Sequence, residues 1–204
     1  PAELAERIPV LLDGAQGAGA VDVDVTSLGC AFYAGSGQKW MCGPIGTGML
    51  WVSPAWRERL SPWGTTYVNL VDVSAGLDAV PWPDARAFDA PSLSLEAASA
   101  ALAAARTLAE AGWEGVWERA RTLAASLADE LAAAGLEVQP RGATTLVSWR
   151  SQDPQAEVER MAAAGVTARA FPGLPWVRAS VGAWNDERDL ERLLALVAGR
   201  RSAG

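Results

Sequence analysis

Phe32-Tyr33-Ala34-Gly35-Ser36-Gly37-Gln38-Lys39-Trp40, followed closely by Gly43-Pro44-Ile45-Gly46-Thr47-Gly48, is the stretch on which the reading of this sequence turns. It opens on Ala31-Phe32-Tyr33-Ala34, an apolar run of the kind that forms a buried strand in a parallel sheet. Small and polar residues then crowd around one lysine. The glycine-rich turn leads into a further apolar run, Gly48-Met49-Leu50-Trp51-Val52. Upstream, Pro9-Val10-Leu11-Leu12-Asp13 is another run of the buried-strand type, and it ends on a carboxylate. Open α/β sheets bind their ligands at the carboxyl ends of strands, which is where Asp13 and the Ser36–Lys39 segment fall. On residue type alone these signals are weak. Asp13 reads as a cap or turn residue, Ser36 as a turn residue and Lys39 as a surface lysine. Gly43 to Gly48 is not a Walker loop, because the Lys-Ser/Thr pair is missing. Taken this way, the first half says only that polar residues sit at the strand ends of an α/β sheet.

Composition narrows the chemistry. Of 204 residues, half are hydrophobic and a fifth charged, a balance that buries a sizeable core. The net charge of −7 argues against a nucleic-acid partner, which needs a basic face, and against an anionic membrane surface. No apolar run is long enough to predict a membrane-spanning helix. The chain has no histidine, which removes histidine-based triads and most zinc sites, and no metal site is expected. Acid–base chemistry must therefore come from Lys, Asp, Glu, Tyr or a cofactor. Cys30 and Cys42 lack metal or redox spacing, read as small core residues, and fit a reducing, cytoplasmic setting. Pro1-Ala2-Glu3 does not read as a signal peptide.

Beyond the strands, Ala2–Ile8 reads as the end of a helix, and Ser61–Pro91 as long loops with at most short elements. Leu93–Ala111 and Trp113–Ala134 are amphipathic helices, broken at Gly112 and closed by Gly135. Strands are predicted at 136–139 and 144–149, a helix at 154–164, strands at 166–170 and 176–181, and a helix at 185–198. Pro154 suits the first turn of its helix. This divides the chain into a sheet-rich domain, residues 1–100, and a small α+β domain, residues 101–204, meeting inside the helix after Leu93. Among ten tryptophans, Trp40, Trp51 and Trp184 are expected near the sheet or a pocket, and Trp113 and Trp117 on one helix face.

Order and spacing change the weighing of the first half. Asp13-Gly14-Ala15-Gln16, the Phe32–Trp40 segment and the Gly43–Gly48 turn together resemble the core of class V pyridoxal-phosphate (PLP) enzymes. That family includes cysteine desulfurases, selenocysteine lyases, cystine C–S lyases and isopenicillin N epimerases. The resemblance continues through Phe88-Asp89-Ala90-Pro91-Ser92 and ends in Val177-Arg178-Ala179-Ser180, with Asn185 shortly after. It implies an α/β fold: the later part of the large PLP-binding domain of a fold-type I enzyme, followed by the small C-terminal domain. It implies PLP as cofactor and an amino acid as substrate. Lys39 resembles the Schiff-base lysine, whose amine must be partly deprotonated to attack a carbonyl or take the Cα proton. Asp13 resembles the carboxylate that keeps the pyridinium nitrogen protonated, and Gln16 the residue that bonds the ring oxygen O3′. Ser36 looks like a phosphate-binding hydroxyl. Gln38 stands where relatives usually carry His, and an amide donates a hydrogen bond without adding charge. Ser92 falls where relatives carry a Thr that reaches the partner subunit's phosphate, though Pro91 replaces a usual Gly and a helix cap is the competing reading. Arg178 resembles the arginine that forks the substrate's α-carboxylate, and Arg169 matches a second arginine near the substrate in some relatives.

Two absences qualify what the resemblance implies. The family's early strands, a helix N-terminus for the phosphate and an aromatic residue stacked on the PLP ring are not encoded here. The functional unit is therefore expected to be a homodimer of complete subunits, with the missing half supplied by further chain or a companion polypeptide. Cysteine desulfurases also carry a catalytic cysteine on the loop before the substrate arginine. Here Arg169-Ala170-Phe171-Pro172-Gly173-Leu174-Pro175-Trp176 has none. The expected reaction is Cα deprotonation by Lys39 with loss of a β-substituent, as in C–S lyases. Epimerisation, transamination, or a non-catalytic fragment lacking half of the PLP site are the alternatives.

Overall fold

The computed structural model describes residues 8–62, 64–92 and 94–199. The expected helix end at Ala2–Ile8 lies outside the described residues, apart from Ile8, which is a bend. The chain divides into two compact units within one helix, the first running to Arg106 and the second starting at Thr107. The short segment Gly19–Asp22 groups with the second unit.

The first unit is built on a three-stranded sheet in the order β1 (Leu11–Asp13), β2 (Phe32–Ser36), β3 (Gly48–Val52). β1 and β2 run parallel, with Leu11 opposite Phe32 and Asp13 opposite Ala34. β3 was expected as a further buried strand of parallel type, but it pairs antiparallel to β2, Phe32 with Val52 and Ser36 with Gly48. The cause is the link. Residues 37–47 are too few and too turn-rich for the helical crossover that parallel neighbours require, so the chain folds straight back. β3 is also less buried than expected, with Gly48, Met49 and Leu50 exposed. Beneath the sheet, Ala18, Cys30 and Tyr33 form a small core flanked by Leu12, Val23, Val25, Leu28 and Trp51. A short helix, α1 (Pro54–Arg57), starts with Pro54 in its first turn and sets Trp56 against Phe32, ring centroids 5.9 Å apart.

The region after α1 is loop-like, as its turn-formers dictate. It holds two 3-10 turns, Val73–Asp78 and Ala85–Phe88, each begun by an aspartate that accepts a backbone N–H, Asp72 from Ser74 and Asp84 from Arg86. Buried Asn69 pins this loop by accepting from Thr66 N (2.7 Å) and donating to Gly64 O (3.0 Å). Ser94 then caps α2 (Leu95–Ala111) by accepting from Ala97 N at 3.1 Å.

In the second unit, α3 (Trp113–Ala133), β4 (Leu146–Arg150), α4 (Pro154–Ala163), β5 (Arg169–Ala170), β6 (Trp176–Ser180) and α5 (Glu187–Ala198) make an antiparallel sheet, order β4-β6-β5, with helices against one face. Alternation along the strands decides the faces. Val147, Trp149, Val177 and Ala179 point into a core with Leu123, Leu127 and Leu131 of α3, Met161 of α4, and Leu190, Leu193 and Val197 of α5. Inside this core Glu157 is 3% exposed, and its carboxylate accepts from Trp149 Nε1 (2.9 Å) and Ser151 Oγ (2.5 Å). The strand expected at 136–139 shrinks to one bridge, Val138 with Trp149, flanked by Gln139 N donating to Ser148 O (2.9 Å) and Arg150 N to Glu137 O (2.8 Å). Pro140, which has no N–H, ends the pairing. The strand expected at 166–170 keeps only its last two residues, because Val166 N is taken by Met161 O (2.8 Å) in closing α4.

Candidate active site

Because β1 and β2 run parallel, their carboxyl ends share one edge of the sheet. Asp13 closes β1 and Ser36 closes β2, so the turns that follow them start side by side. Asp13 is exposed, and its Oδ1 accepts from Ala15 N at 2.9 Å, which bends the chain at once. Gly14 N donates to Ala34 O (2.7 Å), and Gly14 O accepts from Gly17 N and Ala18 N. This Asp13–Ala18 turn lies flat on Tyr33. A side chain on Gly17 would come within 2.8 Å of the Tyr33 hydroxyl, and one on Gly14 closer still, so only glycine fits.

Gln16 emerges from that turn, and its Oε1 accepts from Trp40 Nε1 at 2.9 Å. Trp40 is buried, and it immediately follows the exposed pair Gln38 and Lys39. The turn that carries them is closed on itself. Gly37 N donates to Thr47 O (2.9 Å), Gly43 N to Gly37 O (2.8 Å) and Cys42 N to Lys39 O (3.0 Å). A side chain at Gly37 would press on Thr47, so β2 and β3 close tightly beneath Lys39. The structure thus brings Asp13, Gln16, Ser36, Gln38 and Lys39 to one sheet edge.

Tyr33 lies under this edge and was not singled out from the sequence. Its hydroxyl is buried without a hydrogen-bond partner, and burial, then the nearby Cys30 and Asp13, push its pKa up. Glycines at positions 14 and 17 around an aromatic strand were the available signal. Cys42, expected in the core, is exposed. It sits at φ 55° in the Lys39 turn, and partial desolvation raises its thiol pKa. Trp184, expected near a pocket, is 59% exposed, whereas Trp113 and Trp117 do share a helix face with ring centroids 5.7 Å apart.

Ser92 is exposed and is not the cap of α2, a role that Ser94 takes. Arg169 and Arg178 belong to the second unit, where they stand directly opposite each other in the β5–β6 ladder with Ser148 opposite Arg178 on its other side. Both guanidinium groups lie over one ring, Phe171, at 5.8 and 5.0 Å. Arg178 Nε is buried without a partner, and burial, then the charge of Arg169, lower the Arg178 pKa. Phe171 also escaped the sequence reading. Asn185 serves its own helix, accepting from Gly182 N and donating to Asp189.

The donor set suits PLP. A carboxylate, an amide whose oxygen is already engaged, a hydroxyl and a primary amine meet at one edge. Among the described residues no cluster of His, Cys, Asp and Glu is suited to hold a metal ion, and no helix is long and apolar enough to cross a membrane.

Comparison with known proteins places the chain in a family. The family model for class V aminotransferases matches residues 3–193. The chain belongs to this family, whose members use PLP. It is similar to a probable cysteine desulfurase of Halalkalibacterium halodurans, 29% identical over 94% of this chain and 51% of the relative. It is also similar to isopenicillin N epimerase of Streptomyces clavuligerus, 43% identical over 28% of this chain and 15% of the relative. Among solved structures it is similar to a cysteine desulfurase of Escherichia coli, with TM-score 0.81, 25% identity and coverage of 98% of this chain and 53% of that one. A cystine C–S lyase bound to its product cysteine persulfide gives TM-score 0.80, 25% identity and coverage of 93% and 52%. The fold is α/β, corresponding to about half of a fold-type I cysteine desulfurase, and the chain spans about half the length of these full-coverage relatives.

Proposed function

We propose that this chain carries the cofactor-anchoring part of a PLP-dependent enzyme that acts on an amino acid at Cα, eliminating a β-substituent without a catalytic cysteine. The observation that carries this reading is the shared strand edge, where the turn that holds the chain's single lysine follows Ser36 and is tied to the Asp13–Gln16 turn by the Trp40–Gln16 hydrogen bond. PLP, when bound, supplies an electron sink for negative charge at Cα. Asp13 would hold the ring nitrogen protonated, Gln16 would donate to the ring oxygen, and Ser36 and Gln38 would donate to the phosphate. Lys39 would hold the cofactor through Nζ, and its amine is the group placed to take the Cα proton. Arg178, with Arg169 beside it, receives the substrate carboxylate.

The short link between β5 and β6 favours elimination over persulfide transfer. It closes through Leu174 N to Phe171 O (3.1 Å) and carries no thiol, while Cys30 is buried beneath the first sheet. Ser92 supports a homodimer with shared sites, and a match to about half the length of the relatives supports a need for the rest of the large domain. Epimerisation and transamination remain the neighbouring readings within the family. A test incubates the PLP-loaded protein with cystine and with a β-halogenated alanine in deuterated water. Elimination gives pyruvate and ammonia, epimerisation gives Cα exchange without them, and transamination gives an oxo acid with the amine left on the cofactor. Absence of both Cα exchange and oxo-acid formation with every amino acid tried refutes the reading.

A further inference from the structure

We infer that Trp40 is a positioning residue: by donating its indole N–H to Gln16 Oε1, it fixes which end of the Gln16 amide is presented to the cofactor's ring oxygen. This rests on the reading that PLP binds at the strand edge, and it adds a determinant that the reading does not contain.

A primary amide is nearly the same shape at both ends but opposite in polarity, and a half-turn exchanges donor for acceptor. A ring oxygen that carries negative charge needs the –NH2 end and is repelled by the carbonyl end. Gln16 is only partly buried, so the choice is not made by packing alone. Trp40 makes it. The indole N–H can only donate, so its partner must be the oxygen, and the 2.9 Å bond holds Oε1 at the tryptophan and leaves Nε2 for a ligand. Trp40 is only 7% exposed, which shields the bond from water. The contact also spans 24 residues of sequence, tying the turn after β1, which holds Asp13, to the turn that holds Lys39 next to Trp40 itself.

The sign of the effect is fixed. A donor on the ring oxygen favours its anionic form and so lowers the pKa that governs the visible absorption of lysine-bound PLP. Losing the donor raises that pKa. The test titrates the visible band of the PLP-loaded protein, with the preceding part of the domain supplied, in the wild type, Trp40→Phe, Gln16→Ala and the double variant. We expect Trp40→Phe to raise the midpoint by roughly 0.5–1 pH unit, the scale of one hydrogen bond. We expect no further rise from Trp40→Phe when Gln16 is already Ala, because the tryptophan acts through the glutamine. Gln16→Glu is the control that leaves Trp40 untouched: a carboxylate still accepts from the indole but cannot donate, so the midpoint rises as in Gln16→Ala. A readout independent of the cofactor is the hydrogen exchange of the Trp40 indole N–H in the ligand-free chain, slow in the wild type and faster in Gln16→Ala. If Gln16→Ala shifts the midpoint and Trp40→Phe does not, or if the two shifts add, the inference falls and the PLP reading stands. If Gln16→Glu leaves the midpoint at its wild-type value, the donor end is irrelevant and the inference falls. If no Gln16 variant moves the midpoint, the placement of PLP against Gln16 falls with it.

Discussion

Arg178 shows most plainly how a single side chain is held ready for a ligand. Two cations face each other across a β-ladder, an arrangement that destabilises a sheet by roughly 0.2–1 kcal/mol. Phe171 offsets part of that cost with its ring face, yet Nε of Arg178 stays buried and unpartnered. An anion would satisfy both groups at once, and a substrate carboxylate is the right shape for the fork. Arg178→Ala is therefore expected to weaken amino-acid binding by roughly 2–5 kcal/mol while leaving PLP uptake intact. Titrating the cofactor spectrum with substrate measures this, and unchanged affinity would return Arg178 to a purely structural role. Arg178→Met should leave the apo-protein's thermal midpoint equal or higher, since it removes a buried unsatisfied donor and a like-charge contact. Order and spacing singled out Lys39, Asp13 and Gln16 as candidates, and the structure places their turns at one sheet edge. Tyr33, Phe171 and the bond from Trp40 were not legible, since an aromatic residue in a strand or turn carries no sign of which polar group it will meet. Cys42 misled because residue type predicts burial only on average, and a left-handed turn lifts this cysteine out of the core.

Among the elements, helix bounds and most strand positions were read closely, and strand direction and the two shortest strands were not. α4 and α5 fall within a few residues of their expected bounds because apolar spacing and capping residues are written locally. Strand direction is set instead by the length of the connecting chain and strand length by available partners, which is why β3 reversed and the strand at 136–139 collapsed to a bridge. The start of α5 is a reciprocal capping box, with Asp189 N donating to Asp186 Oδ1 at 3.0 Å and Asp186 N to Asp189 Oδ2 at 3.4 Å. Asp186→Ala is expected to cost about 0.5–2 kcal/mol, read as a lower denaturant midpoint at unchanged slope. Leu127, 1% exposed on α3, belongs to the core packed against the second sheet. Leu127→Ala is expected to cost about 2–5 kcal/mol in the same experiment, and a loss below 1 kcal/mol would show that α3 does not hold this core.

At the scale of the whole molecule, the first unit presents more apolar surface than the second. Leu11 and Leu50 are 58% and 61% exposed on the sheet, and among the described residues β1 is an edge strand with one side unpaired. Such an edge favours association with other chains. The chain spans about half the length of the relatives it matches along most of its own length. The 204-residue chain alone is therefore expected to self-associate in light scattering. If the chain works within a subunit of its relatives' length, supplying the remaining part should shift it to a discrete dimer. A well-behaved monomer that binds PLP stoichiometrically without a companion would contradict this organisation. The central claim is narrower: the one lysine of this chain is the cofactor's anchor. The most direct measurement is borohydride reduction of the PLP-loaded protein, in the presence of the preceding half of the domain, followed by peptide mapping. The account predicts a single reduced PLP adduct on Lys39 and none in Lys39→Ala; an adduct on any other group, or no adduct in the assembled protein, would contradict it.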